Sequence, residues 1–438
     1  MRLFPTLLIA VLAIGCSTSP ASVESPFTGD PWPEIRAERI ATLLPGAMAE
    51  NNLDAWVVIC RENNNDPLAD HVGCENAGGT AAFMFFREDD SVTSVAISPR
   101  GEATSLAETG RMDEVITSER GASIWNTMAD VFERFGPLTI GINTGRSPIT
   151  DGLTHTQYTS MMDGLPSKWT SRMASSEAMI RSWLSVKTPT EVEIMALAAE
   201  ITAQWEVEAY ANAVGGETTD RDIADFLEAK MAEIGVGDAW SPEQNPAVNS
   251  GKDRGHSHPT DRVIQPGDFI QTDFGIRVHD RWVTDIQRFA YVLAPGETEA
   301  PQDALDKWEA AKRGNRAAYA AMMPGATGNE VDRAQRLVLE ENGSQPVMWG
   351  TGHPVGYWAH DSGPCLSGGR LGQELRVVPT QVLKAGMTFS FDGFHKWSLS
   401  DSTTKTISVE EMVVITEEGA RWMTPPQEDL ILIPTPSN

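Results

Sequence analysis

The run FIQTDFGIRVHDRWVTDI, residues 269–286, carries the strongest structural pattern in the chain. Both of its ends are apolar runs of β type, and the polar residues between them predict a β-hairpin centred on His279. This register sets Asp273 opposite Asp285, where two carboxylates repel each other unless a cation lies between them. Such a pair is typical of a dinuclear metal centre with ions about 3.5–4 Å apart. The alternative is an ion pair between one of these acids and Arg277, Arg281 or Arg288.

Further polar residues with metal-binding chemistry follow along the chain. The run GTGHPVG, residues 350–356, surrounds His353 with glycines, which permit close backbone approach to a buried centre. Asp392 lies in an apolar run, and Glu410 opens a β-branched one. With 61 Asp and Glu residues in the chain, no single acid is informative, so the argument rests on these settings. Four carboxylates and one imidazole suit Mn²⁺, Zn²⁺, Co²⁺ or Fe²⁺, and predict hydrolysis by a metal-activated water.

The C-terminal half repeats one order of elements. Thr188, Pro189 and Glu191 form a helix start with a capping box, and a second helix begins after Thr219 and leads into strands. The same order, helix, helix and strands, returns after Pro301. Two such halves packed together would join their strands into one curved antiparallel sheet, with the polar residues of both halves facing a shared cleft.

Residues 32–185 alternate helical stretches with short apolar runs, which predicts an α/β domain. This region contains neither a phosphate-binding glycine loop nor a nucleophile elbow. The expected fold class is therefore α+β, with an α/β N-terminal domain over 32–185 and a catalytic domain of two similar halves over 186–438.

The N-terminus has the layout of a bacterial export signal. Residues 1–16 contain Arg2, an apolar run too short to span a bilayer, and Gly15 before Cys16, which predicts a lipoprotein signal peptide with Cys16 as the lipidated residue. A plain secretory signal is the alternative. Residues 17–31 are rich in Ser, Pro, Thr and Gly, a composition typical of a flexible tether. We therefore expect an exported protein, anchored in a membrane and facing the periplasm.

Composition limits the partners and the stabilising bonds. A net charge of −27 argues against nucleic acid, whose phosphates would be repelled. Contact with a membrane is expected only through the lipid at Cys16. Apart from that residue the chain has three cysteines, of which Cys60 and Cys74 either pair as a disulfide or remain two buried thiols.

Taken together, these motifs resemble the pita-bread metallopeptidases, which include Xaa-Pro aminopeptidases, prolidases, methionine aminopeptidases and the metal-free creatinases. The resemblance covers about residues 185–424, and the preceding domain is similar to the N-terminal domain of prolidases and creatinases. It implies that two divalent metal ions are bound by Asp273, Asp285, His353, Asp392 and Glu410. It also implies that the substrate is a peptide with proline in second position or an Xaa-Pro dipeptide, and that the protein is a homodimer.

The same resemblance assigns roles to the residues around the metals. His256, in GHSHPTD at 255–261, matches the histidine on the substrate side, and His360 matches a second one. A hydroxide bridging the metals would attack the scissile carbonyl, with His360 polarising the carbonyl oxygen. His256 would hold the oxyanion or the leaving nitrogen, and Asp392 would carry the proton.

Three departures distinguish this chain from the family pattern. The hairpin aspartates are twelve residues apart, one more than is usual, so the turn must absorb an extra residue, for example as a bulge. Asp392 stands where the family has Glu followed by Pro, and Ser408 replaces an Arg two residues before the last Glu. Asp392 and Ser408 favour two alternatives to a peptidase, namely a peptide-binding or amide-binding lipoprotein without catalysis and a metal-free, creatinase-like hydrolase of C–N bonds.

Overall fold

The computed structural model describes residues 24–74, 79–119, 121–375 and 382–437. The expected signal peptide, Cys16 and the first part of the tether lie outside the described residues. The first helix begins at Trp32, where the folded body was expected to start. Among the described residues, no helix combines the length and the apolar character needed to cross a bilayer.

The described residues of the N-terminal region form six strands and eight helices. The strands are β1 (Ala55–Cys60), β2 (Ala81–Glu88), β3 (Ser91–Pro99), β4 (Glu114–Ser118), β5 (Ile140–Ile142) and β6 (Met173–Ser175). The helices are α1 (Trp32–Thr42), α2 (Leu44–Glu50), α3 (Ala69–Val72), α4 (Arg100–Thr109), α5 (Ile124–Phe135), α6 (His155–Gly164), α7 (Ser167–Thr170) and α8 (Glu177–Ser185). The strands form one mixed sheet in the order β4-β3-β2-β1-β5-β6.

Strand β1 shows why this sheet is covered on both faces. All six residues of AWVVIC are buried, as expected for a central strand that packs helices on each side. Alternate residues enter two separate apolar clusters, with Trp56 and Val58 in one and Val57 and Ile59 in the other. Cys60, the last residue of β1, forms a disulfide with Cys74, so the disulfide alternative is the one observed.

The C-terminal region contains the remaining helices and strands. The helices are α9 (Pro189–Ala211), α10 (Asp220–Ile234), α11 (Gln302–Ala321) and α12 (Gly328–Glu341). The strands are β7 (Gly237–Asp238), β8 (Ala247–Ser250), β9 (Phe269–Phe274), β10 (Ile276–Val278), β11 (Trp282–Val283), β12 (Ile286–Val292), β13 (Gly352–Pro354), β14 (Thr388–Ser398), β15 (Thr404–Thr416), β16 (Gly419–Trp422) and β17 (Ile431–Ile433).

The helix, helix and strand order of both halves is confirmed. Helix α9 begins with the expected capping box, in which Thr188 and Glu191 satisfy each other's backbone N–H groups. The strands of the two halves join in one sheet in the order β13-β14-β15-β12-β9-β8, with β16 on β15 and β17 on β12. Adjacent strands run antiparallel except for β12 and β17. This is the curved antiparallel sheet of the pita-bread fold.

The hairpin turn is centred one residue later than the sequence predicted, which shifts the strand pairing by two residues. Asp273 pairs with Gln287, not with Asp285, because the turn is centred on Asp280 instead of His279. His279 and Asp280 both have left-handed backbone angles, with φ of 50° and 53°, which close a three-residue turn. The extra residue between the two aspartates is thus absorbed in the turn, and Asp285 becomes a diagonal neighbour of Asp273.

Candidate metal centre

One lateral row across four neighbouring strands forms the base of the site. Asp392 on β14 pairs with Glu410 on β15, Glu410 pairs with Gln287 on β12, and Gln287 pairs with Asp273 on β9. Paired residues of antiparallel strands project from the same face of a sheet, about 5 Å from one another. The sheet therefore brings carboxylates from both halves of the C-terminal region to one buried location.

Three residues form the tightest group of potential ligands. Donor atoms of Asp285, His353 and Glu410 all lie within 4.8 Å of one another. The Nε2 atom of His353 is 3.6 Å from Oδ2 of Asp285 and 3.7 Å from Oε1 of Glu410, which is too long for hydrogen bonds. On its other side, Nδ1 of His353 is 3.3 Å from the carbonyl oxygen of Pro354. When Nδ1 donates to that carbonyl, the lone pair of Nε2 points toward the carboxylates, as a metal ligand requires.

The electrostatics of this group favour a cation. Burial, followed by the negative charge of Glu410, raises the pKa of Asp285 and of Asp392 well above the ordinary range. Burial and the charge of Asp273 raise the pKa of Glu410 to about 8. Burial and the neighbouring His360 lower the pKa of His353 to about 4, so its imidazole is neutral at physiological pH. A bound divalent ion would relieve the repulsion among these acids and accept the lone pair of His353.

The two other histidines predicted from the sequence also lie at the site. Nδ1 of His256 is 2.7 Å from Oδ2 of Asp273, and this contact raises the pKa of His256 to about 9. The side chain of His256 is 63% exposed, so it forms the solvent side of the cleft. The ring of His360 lies 4.2 Å from that of His353, in an edge-to-face arrangement. The structure thus brings together all seven residues predicted for the site.

The three arginines considered as alternative partners of the hairpin acids have other contacts. Arg277 donates to the backbone carbonyls of Asp238, Ala239 and Tyr357. Arg281 forms an ion pair with Asp70, and Arg288 forms one with Glu411. These contacts therefore do not support the alternative in which one of the three arginines pairs with Asp273 or Asp285.

Asp392 lies where helix α11 closely approaches the sheet. Its neighbour Gly393 has no room for a side chain, because a Cβ atom there would overlap the carbonyl oxygen of Ala311. The backbone on either side is also held by side chains, since Gln335 donates to the Asp392 carbonyl and Asn315 donates to the Phe391 carbonyl. The backbone of Asp392 and Gly393 is thus held against helices α11 and α12.

Sequence reasoning missed a set of neutral residues that hold Glu410. Gln287 donates to Oε2 of Glu410 at 2.5 Å, which leaves Oε1 facing His353. The carbonyl oxygen of the Gln287 side chain accepts from Ser408 at 2.8 Å and from Gln271 at 2.5 Å. Ser408 is thus part of an uncharged network where the family pattern has a cation. Gln287 lies two residues after Asp285, a strand spacing that could have identified it.

The residues present therefore fit a site for divalent metal ions. The donors are carboxylate oxygens and one neutral imidazole, they converge in a buried location, and their ligand atoms are oriented by hydrogen bonds from Gln287 and to Pro354.

Comparisons with known proteins agree with this geometry. The model of metallopeptidase family M24 matches residues 193–417. The probable dipeptidase PepE of Mycobacterium tuberculosis is 27% identical over 263 residues, which are 58% of this chain and 63% of that protein. The Xaa-Pro dipeptidase of Pyrococcus furiosus is 26% identical over 257 residues, 58% of this chain and 67% of that protein. The alignment thus spans less than two thirds of the PepE sequences.

Solved structures extend the fold comparison to the N-terminal domain. The X-Pro aminopeptidase of Thermotoga maritima aligns with 91% of this chain and 100% of its own, with a TM-score of 0.62 and 19% identity. Dipeptidase PepE of Mycobacterium ulcerans aligns with 92% of this chain and 98% of its own, with a TM-score of 0.61 and 22% identity. The family model covers more than half of the chain and the fold agrees, so the chain belongs to metallopeptidase family M24.

Proposed function

We propose that this metallopeptidase binds two divalent ions, Mn²⁺, Zn²⁺, Co²⁺ or Fe²⁺, and cleaves Xaa-Pro bonds at the N-terminus of peptides or in dipeptides. The observation that supports this best is the buried group of Asp285, His353 and Glu410, whose donor atoms lie within 4.8 Å of one another. Asp273 and Asp392 complete the row of carboxylates. Proline specificity is inferred from relatives and solved structures with Xaa-Pro peptidase names.

The residues around the ligands support a hydrolytic mechanism. When bound, the ions would polarise the peptide carbonyl and activate a water molecule for attack. His360, which packs against His353, would donate a hydrogen bond to the carbonyl oxygen of the substrate. His256, on the solvent side of the cleft, would orient the substrate by holding its oxyanion or the nitrogen that leaves.

Asp392 is the proposed proton carrier. Its carboxylate lies in the same row as Glu410 and Asp273, and it would accept a proton from the attacking water and pass it to the leaving amine. Asp392→Asn keeps the shape of the side chain but cannot transfer a proton. We expect kcat to fall roughly 100-fold or more, in line with general acid–base catalysis. Retained kcat would assign the proton transfer to another group.

Metal content and peptide hydrolysis test the proposal together. The chain from Ser17 onward would be assayed for Mn²⁺, Zn²⁺, Co²⁺ and Fe²⁺ by elemental analysis and for cleavage of Xaa-Pro and matched Xaa-Ala peptides. We expect about two ions per chain and faster cleavage of the Xaa-Pro set. Asp285→Asn should abolish metal-dependent cleavage, whereas Asp280→Asn, at the exposed hairpin turn, is the matched control and should not.

The outcomes separate the candidate functions. Metal binding with equal cleavage of both peptide sets would keep the peptidase and refute proline specificity. Metal and peptide binding without cleavage would favour a binding protein in which Asp392 does not support turnover. Cleavage of a small C–N bond without metal would favour a creatinase-like hydrolase.

We also propose that the protein is exported and anchored through Cys16. The support is the sequence of residues 1–31, together with the disulfide between Cys60 and Cys74, a bond typical of oxidising compartments. Metabolic labelling with a radioactive fatty acid should mark the wild type and not Cys16→Ser. Homodimerisation stays a prediction that sedimentation velocity would test.

A further inference from the structure

Hydrogen bonds hold the loop that carries His360 on both sides of the histidine. Asp361 accepts from the backbone N–H of Tyr357 at 3.0 Å and donates its own N–H to the Pro354 carbonyl at 2.9 Å. The Gly356 carbonyl accepts from the N–H of Val283 at 2.8 Å, which ties the loop to the hairpin that carries Asp285. We call residues 354–361 the His360 loop.

Two buried carboxylates connect this loop to the start of helix α9. Lys187 lies 3.0 Å from Oδ2 of Asp361, and the side chains of both are at most 1% exposed. The hydroxyl of Tyr357 donates to Oε1 of Glu191 at 2.5 Å, and Trp282 of the hairpin donates to the same oxygen at 3.1 Å. One oxygen of Glu191 thus holds both the His360 loop and the hairpin.

The other oxygen of Glu191 faces the N-terminal domain. Arg39 on α1 lies 2.6 Å from Oε2, and the backbone N–H of Thr188 donates to it at 2.8 Å. Arg39 also donates to the carbonyls of Trp183 and Val186, at 2.7 and 2.8 Å. The side chains of Arg39 and Glu191 have no exposed surface, so each charge depends on the other for compensation.

We propose that Glu191 and Tyr357 are positioning residues for His360. Held by Arg39, the carboxylate of Glu191 fixes the hydroxyl of Tyr357, and Tyr357 fixes the His360 loop against His353. Through this contact the N-terminal domain sets the geometry of the metal centre without supplying a ligand to it. The inference rests on the proposed peptidase function for its kinetic test.

Tyr357→Phe tests the proposal because it removes only the hydroxyl. The ring contacts of Tyr357 with Trp32 and His71, at centroid distances of 6.1 and 4.8 Å, keep their partners. We expect kcat on an Xaa-Pro peptide to fall roughly 10-fold to 100-fold, the loss typical of a small misplacement of a catalytic group, with KM and metal affinity nearly unchanged. Tyr291→Phe, a buried tyrosine on β12, is the matched control and should keep wild-type kcat.

A double-mutant cycle with His360→Ala shows whether Tyr357 acts through His360. If it does, Tyr357→Phe should lower kcat little further in the His360→Ala background. An equal loss of kcat in both backgrounds, or no loss in the wild-type background, would overturn the proposal. If Tyr357→Phe fails to fold, Glu191→Asp replaces it, because this change keeps the charge that compensates Arg39 and draws the carboxylate away from the Tyr357 hydroxyl by one methylene.

A second readout does not depend on catalysis. In protein labelled with ¹⁵N-histidine, the ring signals of His360 can be assigned by their absence in His360→Ala. They should shift in Tyr357→Phe and stay in place in Tyr291→Phe. If the wild type cleaves no Xaa-Pro peptide, the proposed function fails while this shift still supports the positioning role. Unchanged His360 signals in Tyr357→Phe would refute the positioning role by itself.

Discussion

The stability of the metal-free protein should fall as the pH rises through neutrality. Burial and the charge of Asp273 raise the pKa of Glu410 to about 8, whereas an unfolded chain gives glutamate a pKa of about 4.3. A carboxyl whose pKa is raised in the folded state contributes its full stability below the unfolded pKa and loses it as the pH approaches the folded value. Glu410 therefore destabilises the metal-free fold increasingly between these two values.

The effect can be measured over the interval from about pH 6.5 to 8. Each unit of pKa difference corresponds to about 1.36 kcal/mol, so Glu410 alone should lower the unfolding free energy by about 2 kcal/mol over this interval. The raised pKa values of Asp285 and Asp392 act in the same direction. His256 does so weakly, since its side chain is 63% exposed. His353 has a pKa of about 4 in the folded state and about 6.5 in an unfolded chain, so it acts weakly in the opposite direction, because only the unfolded chain still releases its proton over this interval.

Urea denaturation at the two pH values, with a chelator and with Mn²⁺, measures the effect. We expect a loss of about 2 kcal/mol or more in the chelator and a smaller loss with Mn²⁺, which binds the ionised carboxylates. Glu410→Gln should flatten the pH dependence, whereas Glu417→Gln, at an exposed turn, should leave it as in the wild type. A chelated wild type whose stability is constant or rises between the two pH values would refute this reasoning.

Three further substitutions test other parts of the structure. Gln287→Leu removes the donor to Glu410, and we expect calorimetry to give a metal affinity roughly 10-fold to 100-fold weaker; unchanged affinity would show that the donor is dispensable. Gly393→Ala places a Cβ against the Ala311 carbonyl and should lower the unfolding free energy in urea by about 1–3 kcal/mol, whereas wild-type stability would contradict the close packing. Replacing Cys60 and Cys74, 14 residues apart, with serine should cost about 3 kcal/mol; a wild-type melting temperature would argue against a stabilising disulfide.

Much of the site could be predicted because its chemistry depends on residue types in local patterns. Aspartates in apolar strand-like runs and a histidine among glycines identify buried polar groups without any knowledge of their neighbours. The capping box of Thr188 and Glu191 follows from a spacing of three residues and was confirmed. Local patterns were thus sufficient to identify candidate ligands and the order of the elements.

The register of the hairpin could not be predicted from the same pattern. A turn centred on His279 and one centred on Asp280 differ by a single residue and preserve the apolar character of both strands. The left-handed angles of His279 and Asp280 select the second, and Thr284 helps by accepting the N–H of Ile276 with its side-chain oxygen. Gly275 accommodates the close approach of the Thr284 carbonyl, where a Cβ atom would overlap it.

The sequence by itself determined the ligand types, the helix starts and the two-half architecture, because each depends on residues a few positions apart. Only the tertiary structure decided that Glu191, recognised as a helix cap, also binds Arg39 and Tyr357, which are 152 and 166 residues away along the chain. Only the sheet places Gln287 between Asp273 and Glu410. A buried charge or amide must find its partner wherever the fold brings one, so such contacts leave no periodic signal in the sequence.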